Sequence, residues 1–115
     1  MLSKVNRLVK TADFQEIYRS GKYVVGRHMV IYYQPNLLQS VRVGFVASKK
    51  VGASHVRNRC KRILREAMRQ LLPGLPSGYD LIVVARPPLA EQGFQDILGE
   101  MAKLLRKADL MEREQ

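Results

Sequence analysis

Phe45-Val46-Ala47-Ser48-Lys49-Lys50-Val51-Gly52-Ala53-Ser54-His55-Val56-Arg57-Asn58-Arg59-Cys60-Lys61-Arg62-Ile63-Leu64-Arg65-Glu66-Ala67-Met68-Arg69 joins the end of an apolar run to a strongly basic segment. The second part of this stretch reads as a helix. Val56, Cys60, Ile63, Leu64, Ala67, Met68 and Leu71 recur at helical spacing as one apolar stripe, and Pro73 follows its end. At 100° per residue Asn58, Arg62, Arg65 and Arg69 fall together on the opposite side, with Lys61 beside them. The apolar stripe requires a core to lie against, and the flanking sequence supplies one.

Upstream, Val41-Arg42-Val43-Gly44-Phe45-Val46-Ala47 alternates well enough at first to be a strand. Downstream, Tyr79-Asp80-Leu81-Ile82-Val83-Val84-Ala85 is apolar without alternation, which predicts a strand covered on both faces. The β-branched and aromatic residues between Tyr23 and Gln34 predict one or two further strands, and Pro35-Asn36 begins a loop. Residues 11–21 read as a short helix, with Thr11 as its cap, acids in its first turn, and Gly21 at its stop; Phe14 and Tyr18, four apart, share a face. Phe94, Ile97, Leu98, Met101, Leu104, Leu105 and Ala108 mark a C-terminal helix. The expected order is helix, strands, helix, strand, helix: one α/β domain over residues 1–115, without repeat or linker.

The 115 residues are 46% hydrophobic and 26% charged, the composition of an ordinary globular domain that needs neither disulfide nor structural metal. Cys60 stands alone, which excludes an internal disulfide or a Cys-based zinc site and fits a reducing cytoplasm. The longest aliphatic run, Leu81 to Ala85, is far short of the roughly 20 residues that cross a bilayer, and the N-terminus has no signal-like apolar core. A cytoplasmic location away from any membrane is expected. The net charge is +10, and it is unevenly placed. Residues 1–72 hold 15 basic and three acidic residues; residues 73–115 hold five and seven. Such polarity draws a polyanion to one side of the molecule.

Between Ser48 and Arg69 lie eight of the 20 basic residues, opposed by Glu66 alone. Salt-bridged surface helices intersperse acids among their bases, whereas here like charges crowd one face. Arg57 and Arg59 also sit near the helix start, where the macrodipole favours acids. Both features cost stability in the free protein. A phosphate backbone reverses the sign of each, because exposed N–H groups, dipole and guanidinium forks then act on one anion.

These residues resemble the protein subunit of bacterial ribonuclease P, whose signature is an Arg-Asn-Arg box opening a basic helix after a Ser-Lys-Lys strand end. Ser48-Lys49-Lys50-Val51-Gly52 and then Arg57-Asn58-Arg59, with the trailing Arg65-Glu66, are close to that pattern. The resemblance extends to Asn6-Arg7-Leu8, Asp13-Phe14 and Gly21 near the first helix, to Arg42-Val43-Gly44, and to Asp80-Leu81-Ile82-Val83-Val84-Ala85-Arg86. Ser54 stands where the family usually has Ala and is a candidate helix cap. Cys60 replaces a branched aliphatic and reads as a small core residue.

The resemblance implies an α+β two-layer sandwich with a mixed sheet, similar to a domain of a ribosomal protein, and a left-handed βαβ crossover that general handedness statistics argue against. It also implies two RNA surfaces. Ser48, Lys49, Lys50, Arg57, Asn58, Arg59, Lys61, Arg62, Arg65 and Arg69 would face the catalytic RNA. A cleft with Phe14, Tyr18, Val30 and Tyr32 would hold the single-stranded 5′ leader of precursor tRNA, aromatic faces stacking on unpaired bases with little sequence preference. Magnesium would be held mainly by the RNA, and no protein partner is expected. A self-sufficient nuclease would need clustered carboxylates or paired histidines. Asp13 and Glu16 do not repeat as a cluster, and His28 and His55, placed in a strand and at a helix start, lie 27 residues apart. No catalytic residue is therefore assigned. A ribosomal or other RNA-packing protein is the alternative, and the Arg-Asn-Arg box together with Phe14, Tyr18 and Tyr32 separates the two.

Overall fold

The computed structural model describes residues 2–112. Four strands, β1 (Lys22–Val25), β2 (Met29–Pro35), β3 (Val41–Val46) and β4 (Tyr79–Ala85), form one sheet in the order β1-β2-β4-β3. β1 and β2 form a hairpin, β2 runs antiparallel to β4, and β3 runs parallel to β4. A parallel neighbour requires a crossover. The basic helix supplies it, since α2 (Ser54–Leu71) lies between β3 and β4 in the chain.

The sheet's two faces are used differently. Met29, Ile31, Val43, Leu81, Val83 and Ala85 point to one side, where they meet Cys60, Leu64, Ala67 and Met68 of α2 and Ile97, Met101, Leu104 and Leu105 of α3 (Phe94–Lys107). This is the main core, and it buries the predicted stripe of α2. On the other face α1 (Thr11–Ser20) seats Ile17 against Ile82 and Leu8 in a smaller cluster. Because β4 is covered from both sides, Leu81, Ile82 and Val83 are all buried, the physical reason for its unbroken apolar sequence.

The N-terminal segment closes the open edge of β3. Leu8 N–H donates to Val43 O at 3.1 Å, Asn6 Nδ2 to Val41 O at 2.8 Å, and Arg7 bridges Val43 in parallel register. An uncovered edge strand would be free to pair with another chain, and this segment occupies it.

Three local expectations differ. Thr11 lies inside α1, whose cap is Lys10 with no side-chain cap bond. Ser54 is likewise the first residue of α2, capped by Ala53 without a side-chain bond. The Ser54 hydroxyl accepts instead from the Arg57 guanidinium at 2.9 Å. His28 is in the turn between β1 and β2 rather than in a strand, and there Glu100 of α3 accepts from its backbone N–H at 2.9 Å and meets Nδ1 at 2.7 Å.

Candidate RNA interface

Strand register assembles the first surface. On the face that carries α1, each level of the sheet is a row of residues contributed by successive strands. The row Val25, Val30, Val84 and Val46 crosses all four strands in direct register. The adjoining row is Tyr23, Tyr32, Ile82 and Gly44. α1 lies over the second row and leaves the valine row half open, so a cleft runs beside the helix with an aliphatic floor.

Phe14 and Tyr18 project from α1 toward this sheet, as their spacing predicts. Phe14 sits on Gly44: a Cβ there would come within 2.3 Å of the Phe14 ring, so only glycine lets helix and strand approach this closely. Tyr18 meets Tyr32 edge to face, ring centroids 4.8 Å apart, and Tyr23 tilts against Tyr32 from the other side at 5.6 Å. Tyr18 and Tyr23 are 42% and 61% exposed, and Val25 is 50% exposed. Large apolar groups left this open side by side on one face make it the candidate site for an unpaired strand. Partial burial, and secondarily Tyr32, push the Tyr18 phenol above its ordinary range, so the ring stays neutral.

Residue patterns alone did not reach Tyr23, Val25, Val46 and Val84. Alternation puts Tyr32 and Val30 on one face, but only the β1–β2 and β2–β4 registers bring these four beside them. Hairpin pairing is the signal that finds Tyr23.

The second surface is α2 with the turn before it. Ser48, Lys49 and Lys50 are exposed, and Lys49–Val51 form a 3-10 turn. Gly52 follows with φ of +151°, a conformation favouring glycine that swings the chain into α2. Asn58, Arg59, Arg62, Arg65 and Arg69 are exposed along the helix, with Lys61 half-buried at the margin. Two arginines are more constrained than the helical wheel indicates. Arg57 is half-buried, its Nε without a partner among the described residues, and Arg59 donates to Ala90 O at 2.9 Å. Arg65 lies over the Phe45 ring, 5.9 Å from its centroid.

The crowded charge has one relief. Glu66 accepts from Arg69 at 3.0 and 2.5 Å, and these bonds hold its carboxyl near 2. Among the described residues no other cation of α2 has an ion pair. The first turn of α2 has no acid, whereas α1 and α3 carry Asp13 and Asp96 there. An N-terminus left positive in this way is suited to a phosphate.

The two surfaces meet. Val46, at the end of the valine floor, is two residues before Ser48, so the floor leads directly into the Ser48-Lys49-Lys50 turn and then α2. Arg86, just after β4, stands at the same end of the sheet and donates to Gly26 O at 2.8 Å. Among the described residues no three His, Cys, Asp or Glu side chains gather where they could hold a metal ion. Nor is any described helix long and apolar enough to cross a membrane.

A mixed α+β domain with an electropositive crossover helix and an aromatic cleft defines a protein of the RNA-binding class. The family model for ribonuclease P matches residues 2–109. A ribonuclease P protein component from Caldanaerobacter subterraneus subsp. tengcongensis is 44% identical over 115 residues, covering 100% of this chain and 99% of that protein. Among solved structures, the RNase P protein of Staphylococcus aureus superposes with a TM-score of 0.86 at 33% identity over 95% of this chain and 100% of that one. That of Thermotoga maritima gives 0.80 at 30% identity, over 88% and 96%. The chain belongs to the ribonuclease P protein family, and it is an RNA-binding component of tRNA processing.

Proposed function

We propose that this chain is the non-catalytic protein subunit of a ribonucleoprotein enzyme that removes the 5′ leader of precursor tRNA, acting in the cytoplasm. Ser48, Lys49, Lys50, Arg57, Asn58, Arg59, Lys61, Arg62, Arg65 and Arg69 bind the catalytic RNA. Phe14, Tyr18, Val30 and Tyr32, extended by Tyr23 and the valine row, hold the unpaired leader. Magnesium is held mainly by the RNA, and hydrolysis of the phosphodiester belongs to the RNA. The protein neutralises phosphate repulsion and fixes the leader beside the RNA active centre.

The observation that carries this reading is the four-valine floor flanked by Tyr18, Tyr32 and Tyr23, open to solvent and continuous with the basic turn. An RNA-packing protein would need the cations of α2 but not a half-open aromatic cleft. Stacking on such a surface is tolerant of base identity, which suits a leader whose sequence differs among tRNAs. Reconstitution tests the role as a whole. Adding the purified chain to ribonuclease P RNA should raise 5′ maturation of precursor tRNA at low magnesium, and the chain alone should cleave nothing. No effect on the RNA's activity would remove the proposed role.

A further inference from the structure

A second concave site lies at the β3 edge, outside the tyrosine cleft. It is a cavity of about 380 Å³ lined by Leu2, Arg7, Leu8, Val9, Phe14, Val43, Gly44, Phe45 and Arg65. Its size is within the range of small-ligand pockets, roughly 300–1,000 Å³. The N-terminal segment forms one wall, β3 the back, and α2 the opposite rim. Arg7 and Arg65 are the two charged residues of its lining. Arg7 is fixed by its Nε bond to Leu2 O at 3.0 Å, and Arg65 by its position over Phe45. No Asp or Glu among the described residues lines the cavity. Two permanently charged residues lining one mostly apolar pocket without a carboxylate leave an anion as the missing partner.

The walls restrict what that anion is. Phe14 and Phe45 offer aromatic surface, Leu8, Val9 and Val43 aliphatic surface, and the two arginines flank them. An inorganic anion uses only the guanidiniums. A nucleotide uses both, its base against the rings and its phosphate on the arginine forks. Arg65 is also on the α2 face that the proposed function lays against the catalytic RNA. We infer that this cavity receives one unstacked nucleotide of that RNA, with its base on the Phe45 side and its phosphate between Arg7 and Arg65. The inference rests on the proposed role of α2. It makes the N-terminal segment, through Arg7 and Val9, part of the RNA-binding surface.

Val9 lines the cavity yet is 75% exposed, so it can be changed with little effect on packing. Val9→Glu places a carboxylate between the arginines. Gln15→Glu, on the exposed side of α1 outside the cavity, gives the same change in net charge. Amide NMR of the chain titrated with 5′-adenosine or 5′-uridine monophosphate should show saturable shifts at Val9, Gly44 and Phe45. Inorganic phosphate should act at least about fivefold more weakly, the difference a stacked base makes. Affinity of the full chain for ribonuclease P RNA should fall about tenfold more in Val9→Glu than in Gln15→Glu. Phosphate matching the nucleotides would make this a plain anion site and overturn the inference, as would an absence of saturable shifts. Equal losses in the two variants would reduce the effect to net charge and overturn it too. Nucleotide binding with equal losses would mean a free mononucleotide is the ligand instead. If the unaltered chain fails to bind the RNA, the reading of α2 falls together with this one; if it binds and only the variant comparison fails, the cavity inference alone falls.

Discussion

Arg42 shows how a single side chain sets the cleft. From β3 it donates to both carboxylate oxygens of Asp80 at 2.9 and 2.7 Å, and it reaches Asp13 of α1 at 3.5 Å. Asp80 is 7% exposed and accepts a further bond from Asn36 at 2.7 Å. The Asp80 bond, opposed by burial and aided by the charges of Asp80 and Asp13, raises the Arg42 pKa, so the guanidinium is charged throughout. Arg42→Met leaves a buried carboxylate facing one amide, and the loss should be about 3 kcal/mol in chemical denaturation. A change below the measurement error would mean that Asp80 finds water at no cost. Glu66 gives a residue-scale expectation with a pH sign. Its carboxyl is depressed in the native state, so the Arg69 pair stabilises above the ordinary value of 4.5 and that contribution is lost as pH falls through about 2. The pair is in solvent, so its effect on stability is small and screened. Arg69→Gln should return the Glu66 titration to the ordinary carboxylate range by NMR, and an unmoved titration would assign the depression to another cause.

At the level of elements, α2 is a helix whose two sides have separate tasks: one is core, the other cation. Lys61→Ala, Arg62→Ala and Arg65→Ala together remove three cations and no residue of the buried stripe, although Lys61 lies at its margin and Arg65 against Phe45. Stability should change by no more than about 0.5 kcal/mol at exposed Arg62 and by up to about 1 kcal/mol each at half-buried Lys61 and at Arg65 over Phe45, offset as repulsion is relieved. Assembly with the catalytic RNA should be lost while cooperative unfolding is retained, and full assembly by this variant would remove α2 from the interface. Arg57 is left out of the set because its half-buried guanidinium supports Ser54, and removing it would mix a folding effect with a binding one. The helix was readable from sequence because both its stripe and its charges have period 3.6. Its start was not: Thr11 and Ser54 have the chemistry of caps, but the preceding residues Lys10 and Ala53 hold the extended backbone that defines the boundary. The cleft was half readable. Phe14 and Tyr18 are linked by helical spacing and Val30 and Tyr32 by alternation, both local. Tyr23, Val25, Val46 and Val84 join them through pairing between distant strands, and no local pattern carries that register.

Across the whole molecule, charge polarity follows the fold. The basic half of the sequence supplies α1, β1 to β3 and α2, while the slightly acidic remainder supplies β4 and α3. Because binding then releases counterions, affinity for the catalytic RNA should fall steeply with salt. With about six phosphate contacts the log-log slope should be roughly −4 to −5. A slope near zero would contradict an electrostatic interface. Yet salt dependence belongs to every RNA-binding account, and leader recognition does not. Tyr18→Leu with Tyr32→Leu keeps apolar bulk while removing the extended ring faces, and each stacked base is worth about 1 to 3 kcal/mol. The measurement is the affinity of the reconstituted holoenzyme for precursor and for mature tRNA, side by side, with this double variant. Precursor binding should weaken by roughly fivefold or more per base lost, while mature tRNA, which has no leader, and assembly with the catalytic RNA remain unchanged. Equal losses for both tRNAs, or no loss for either, would contradict leader binding by the tyrosine cleft.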